Sequence, residues 1–178
     1  LIGGLADPDA GEILWNGEVL NGRQRRWLCG LVFQFPERHF LGLSVGQELR
    51  LGQRRLGGEA VERVLRQVGL ASISLQQAPE RLSGGQQRRL ALAVQLLRDP
   101  KVLLLDEPTA GLDWTVRNEV LQLLAMLARD RALLVVTHEP EIFAGVVEGG
   151  WFLEKGVLHP LTEPVSYTHL TLPTKRIV

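Results

Sequence analysis

Several residue types are nearly missing from this sequence. Among 178 residues there is one cysteine, Cys29, one methionine, Met126, and one tyrosine, Tyr167. A single cysteine excludes an internal disulfide framework and any all-cysteine metal site. Such cysteine poverty suits a reducing compartment. No run of about 18 apolar residues occurs, so no segment reads as a membrane-spanning helix. No charged-then-apolar signal segment opens the chain. Net charge is missing too, because 20 Lys plus Arg offset 20 Asp plus Glu. That balance argues against a nucleic-acid binder relying on a strong basic field. What is present is an ordinary globular mix, 45% apolar and 22% charged. The length suits one domain, and a chain of about 150 residues buries roughly 68–70% of its unfolded surface.

Both ends are unusual. Leu1 to Leu5 reads as the last turn of a helix whose beginning is absent, so the chain is expected to be cut before Leu1. Val165 to Thr174 resembles translated sequencing-adapter DNA, and 165–178 reads as a non-native, adapter-derived tail. His169 and Lys175 therefore carry no functional weight.

Hydrophobic patterning supplies the elements. Gly11 to Gly17 is a short alternating strand closed by an Asn-Gly turn. Gly30 to Phe33 is a compact apolar run ending at Gln34 and broken by Pro36. Residues 43–70 read as two helices divided at Gly57-Gly58, with Val61, Val64, Leu65 and Val68 on one stripe. Residues 83–98 read as an amphipathic helix with Leu90, Val94 and Leu97 inward. Val102–Leu105 and Leu133–Val136 flank a helix over 114–129, and both runs are short and uninterrupted. That is the pattern of parallel strands buried on both faces, in a right-handed βαβ unit. Residues 149–160 read as a closing hairpin around Lys155-Gly156.

Parallel strands joined by a crossover end on one edge of the sheet, and open α/β sheets bind ligands beyond that edge. One strand exits into Asp106-Glu107-Pro108 and the other into Thr137-His138-Glu139. Two carboxylates and an imidazole thus converge on one crevice. An Asp after a buried strand is costly unless its charge is compensated. Mg²⁺ held on a phosphate would compensate it, leaving Glu107 to act on a water. The plainer reading makes Asp106 a turn cap and His138 a core histidine; the pairing at two strand ends speaks against it.

Leu82-Ser83-Gly84-Gly85-Gln86 is the sharpest signal. Ser83 and Gln86 suit a capping box, but that leaves the two glycines unexplained, each costing a helix roughly 1 kcal/mol relative to Ala. Two glycines in a first turn suggest close approach by a guest. At a helix N-terminus that guest is an anion, best a phosphate. Arg88 and Arg89 follow, with simple solvation as the plainer reading of both.

Leu82–Gln86, Val102–Pro108, Ala110-Gly111-Leu112-Asp113 and His138, in this order, resemble the signature motif, Walker B strand, D-loop and switch histidine of ABC-type ATPases. Gln34 resembles the Q-loop glutamine, and Phe33–Glu37 with Asp106–Asp113 is similar to the energy-coupling-factor importers. Trp114 stands where a proline is common. The resemblance implies an α/β, P-loop NTPase-like (RecA-like), mostly parallel sheet lacking its N-terminal part, with an inserted helical signature subdomain. It divides the chain into a core of 1–41 and 99–164 and a helical part of 42–98.

The resemblance also implies a head-to-tail dimer with ATP and Mg²⁺ sandwiched between subunits. Glu107 would be the general base, and Asp106 and Gln34 the Mg²⁺ side. His138 would bind the γ-phosphate, and Asp113 would link the two sites. Ser83, Gly84, Gly85 and Gln86 would bind the partner's ATP. Residues 35–81 would dock on a membrane subunit at the inner face of the plasma membrane, with no nucleic-acid partner. The phosphate loop G-x-x-x-x-G-K-[ST] is absent. Lys101, Lys155 and Lys175 are the only lysines and none follows a glycine, so the loop is expected upstream and the chain alone is expected to be inactive. A non-transport ABC-type ATPase and a non-catalytic dimer partner remain alternatives.

Overall fold

The computed structural model describes residues 1–53, 55–161 and the backbone of 176–177. The stretch read as adapter-derived lies outside the described residues, apart from Arg176–Ile177.

The chain opens with a turn in which the Gly4 N–H donates to the Leu1 carbonyl at 2.9 Å. A two-stranded hairpin follows, β1 (Leu14–Trp15) and β2 (Glu18–Val19). Asn16 and Gly17 both have positive φ, 50° and 84°, as a two-residue hairpin turn of this hand requires. Helix α1 (Gly22–Leu28) starts at an Asn21–Gln24 capping box and leads into β3 (Cys29–Val32). Next come α2 (Val45–Arg50), α3 (Gly58–Gln67) and α4 (Gly84–Leu96). Strand β4 (Val102–Asp106), helix α5 (Trp114–Leu127) and strand β5 (Ala132–Thr137) form the expected crossover unit. The hairpin β6 (Trp151–Glu154) and β7 (Val157–Pro160) turns at Lys155-Gly156, as the sequence predicts.

Among the described residues the main sheet has the order β3-β4-β5-β8-β6-β7, where β8 is Arg176–Ile177. The pairs β3–β4 and β4–β5 are parallel, with Val32 opposite Leu105 and Leu105 opposite Val135. Strand β8 pairs antiparallel with both β5 and β6. The sequence sets 165–178 apart from the fold, but the backbone of Arg176–Ile177 pairs within the sheet. A gap between two strand edges offers unpaired backbone groups to any extended segment, whatever its side chains.

One apolar cluster joins the sheet to the helices, from Val32 and Leu103 through Leu49 and Val64 to Leu124 and Phe143. The predicted stripe on α3 is buried, with Val61, Val64, Leu65 and Val68 all inside. Helix α4 differs from expectation. Of its predicted stripe only Leu90 is fully buried, while Val94 and Leu97 are half-buried. Leu92, Ala93 and Leu96 are buried instead. The helix packs against β3, α5, α2 and α3, so more than one face is buried and no single stripe describes it.

Candidate functional site

Strands β4 and β5 end side by side, with Asp106 opposite Val136. Glu107 follows at φ +48°, the left-handed region that residues with a Cβ seldom occupy. Its N–H still donates to the Val136 carbonyl at 2.8 Å. The Glu107 side chain engages the exit of β5. The Thr137 hydroxyl donates to Oε2 at 3.2 Å, and His138 Nδ1 lies 2.7 Å from Oε1. Glu107 is 3% and Thr137 0% exposed. A buried carboxylate is tolerated when both oxygens are hydrogen-bonded, as here. His138 is 59% exposed at the side chain. Carboxylate oxygens only accept, so Nδ1 carries the proton and Nε2 is the ring nitrogen left for another partner. The hydrogen bond to Glu107 raises the His138 pKa above its ordinary value, against a smaller effect of burial. The charges of Glu107, Glu139 and Glu141 push the same way as the hydrogen bond.

Asp106 is half-buried at the end of β4, and Gln34 is half-buried two residues past β3. The β3–β4 ladder ends at Val32 opposite Leu105, and beyond it the Gln34 and Glu107 carbonyls both accept from Arg88 Nη1. The structure brings Glu107 and His138 into contact, sets Asp106 at the end of β4 just before Glu107, and links Gln34 to them through its backbone carbonyl.

The second predicted cluster lies at the start of α4. The Gln86 N–H donates to Ser83 Oγ at 3.3 Å, and the Ser83 N–H donates to Gln86 Oε1 at 2.9 Å. The capping box is complete. Ser83 and Gly84 are exposed, and Gly85 is buried. The two glycines divide. A Cβ on Gly84 would meet only Leu112 Cδ2, at 3.8 Å, whereas one on Gly85 would sit 2.2 Å from Val116 Cγ1. Packing of α5 thus accounts for Gly85 within the chain, and an external guest is needed only to explain Gly84. Asp113 has a local task as well: its carboxylate accepts from the Val116 N–H at 3.1 Å and caps α5.

Two residues escaped the sequence reading. The sequence marks Thr137 only as a strand exit, but its hydroxyl holds Glu107. Arg88, for which the sequence leaves solvation open, is 4% exposed. Its Nη1 donates to the carbonyls of Gln34 at 2.6 Å and Glu107 at 3.1 Å, and its Nη2 donates to that of Ala110 at 3.0 Å. The spacing Gly85, Arg88, Leu92, Leu96 is itself a buried helical stripe and was the available signal. Arg89 is half-buried and ion-paired with Glu119.

Comparison with known proteins shows the family. Residues 1–110 match the ABC transporter family model, and the chain belongs to that family. It is 40% identical over 172 residues to ABC transporter I family member 11, chloroplastic, of Arabidopsis thaliana, covering 88% of this chain and 62% of that protein. It is 38% identical over 173 residues to the energy-coupling factor transporter ATP-binding protein EcfA2 of Symbiobacterium thermophilum, covering 90% and 60%. The chain thus spans about 60% of the length of these relatives. Among solved structures, cbiO1 from Clostridium perfringens, part of the ABC transporter complex cbiONQ, superposes with a TM-score of 0.79 at 27% identity, over 89% of this chain and 68% of that one. The fold is P-loop NTPase-like.

Proposed function

We propose that this chain is part of the ATP-hydrolysing subunit of an ABC-type transporter of the energy-coupling-factor kind, with ATP held between two such subunits. The observation that supports this reading best is the Glu107 carboxylate. It is buried, fixed by Thr137 and His138, and sits beside Asp106 at the strand ends. A carboxylate so held can accept a proton from a water positioned at the sheet edge. His138 keeps Glu107 in place through Nδ1 and presents Nε2 to a phosphate. Its raised pKa favours the protonated ring, which an anion would stabilise further. The Asp106 carboxylate and Gln34 amide are hard oxygen donors, which suit Mg²⁺ completed by phosphate oxygens. When bound, that ion would neutralise charge on the phosphates.

The exposed start of α4 offers Ser83 and the Gly84 N–H to the partner's nucleotide, with the positive end of the helix dipole behind them. In this reading 1–41 and 99–164 form the catalytic core and 42–98 the helical part. Docking on a membrane subunit falls within 35–81, extended to Phe33. Phe33, Phe35, Leu41 and Leu43 are 40%, 40%, 81% and 83% exposed. Beside them runs a groove lined by Val32, Pro36, Phe40 and Val94. An apolar patch of this kind marks an interaction surface. Among the described residues no helix is long and apolar enough to cross a membrane, and the reading places the subunit on the inner membrane face through its partner. The transported solute would be chosen by that partner.

The test uses the chain joined to a P-loop, since it carries none itself. Ser83→Arg should leave nucleotide binding at the P-loop intact, abolish ATP-induced dimerisation and stop hydrolysis. Unaffected dimerisation and turnover would refute the sandwich.

A further inference from the structure

Arg88 is buried without a carboxylate within ion-pair distance among the described residues. Its guanidinium faces three backbone carbonyls, and its Nε is buried with no hydrogen-bond partner. Burying a cation costs desolvation, which the three charge-assisted hydrogen bonds to backbone carbonyls offset. Burial indeed lowers the Arg88 pKa, with the nearby Glu37 charge opposing it. The guanidinium thus holds three separate backbone groups at once.

The three carbonyls indicate what it joins. Gln34 ends the exit from β3. Glu107 is the left-handed residue at φ +48° whose carboxylate meets Thr137 and His138. Ala110 precedes Gly111, at φ +71°, in the turn that leads to Asp113. These three loops converge on one rigid planar fork, the geometry an arginine provides and a lysine does not. The fork is carried on α4, five residues from Ser83 and thus about 7.5 Å along the helix axis.

We propose that Arg88 is a positioning residue that ties the helix opening at Ser83 to this chain's own Gln34, Glu107 and Asp113 loops. A displacement of α4 when a phosphate docks at its start is then transmitted to the hydrolytic carboxylate. The inference rests on the ATPase reading above and adds a coupling element to it.

Turnover is measured on the P-loop-bearing protein assembled with its membrane partner, for Arg88→Met, Arg88→Lys and, as a control, Glu107→Gln. Arg88→Met should keep the ATP KM within twofold; its Tm should fall, because three carbonyls lose their donor, but the protein should stay folded at the assay temperature. Its kcat should fall about 10–100-fold, the scale of a misplaced catalytic group. Arg88→Lys keeps the charge but loses the fork, and should show the same split between kcat and KM. Where the Met variant does not fold, the Lys variant decides. Turnover of the Arg88 variants within twofold of the parent, alongside a Glu107→Gln variant that has lost hydrolysis, overturns the positioning role and leaves the ATPase reading standing. A drop in kcat explained entirely by a lowered Tm also overturns it. Normal turnover in Glu107→Gln overturns the ATPase reading and the inference with it.

Discussion

Replacing Gly85 by alanine sets two measurable effects against each other. Alanine is the better helix former, by up to about 1 kcal/mol in a helix interior and less in a first turn. Its methyl group, however, would lie 2.2 Å from Val116 Cγ1. Ordinary carbon–carbon contacts lie near 3.5–4.0 Å, so the two must separate by roughly 1.3 Å or more. Val116 cannot simply rotate, because a β-branched side chain in a helix has one strongly preferred χ1, and α5 is anchored by buried Val120, Leu123 and Leu124. Overpacking of this kind costs about 1–3 kcal/mol, so the clash wins and Gly85→Ala should destabilise by about 1–2 kcal/mol. In a chain of this size each kcal/mol lowers Tm by about 2–4 °C. The assay is urea or thermal denaturation of Gly85→Ala, Val116→Ala and the double variant. In the double variant the clash is gone, so the coupling should exceed the ~0.5 kcal/mol expected of independent sites. Gly84→Ala has open space and should leave Tm unchanged or raise it. Equal stability of Gly85→Ala and the parent, or additive behaviour in the cycle, would refute the packing account of Gly85.

Two further outcomes follow from the same geometry. His138 should titrate above its ordinary value of about 6.5, and Glu107→Gln should return it towards that value, as read by NMR of the imidazole. Because the folded pKa is raised, the stabilisation from the charged pair is fully present below about 6.5 and is lost as pH rises through the folded value. An unchanged His138 pKa in the variant would contradict the pairing. Glu48→Ala should cost about 2–4 kcal/mol, because Glu48 Oε2 accepts from the Leu41 and Gly42 N–H groups at 2.8 and 2.7 Å and both would lose their acceptor. It should also weaken co-purification with a membrane subunit, since that loop displays Leu41 and Leu43.

The crossover unit was legible because β4 and β5 are uninterrupted apolar runs with charged residues at their exits, a local signal. The hairpin turns at Asn16-Gly17 and Lys155-Gly156 were legible for the same reason, as was the buried stripe of α3. Helix α4 was misread because its environment is tertiary. A helix packed on two sides has no single apolar face, and a buried arginine satisfied by backbone carbonyls looks like a solvated one in the sequence. Gly85 was assigned to a guest when α5 demands it, since close approach by a segment distant in sequence leaves the same mark as a ligand. The pairing of Glu107 with Thr137 depends on the left-handed turn at Glu107, which no residue pattern announced.

The most direct test of the central claim is ATP turnover by Glu107→Gln in the P-loop-bearing protein, with nucleotide binding measured in parallel. A carboxamide keeps the size and accepts the same hydrogen bond from Thr137, but it cannot take the proton from water. Hydrolysis should slow by ~10²–10⁴-fold while ATP still binds and locks the dimer. Turnover near that of the parent would contradict the account.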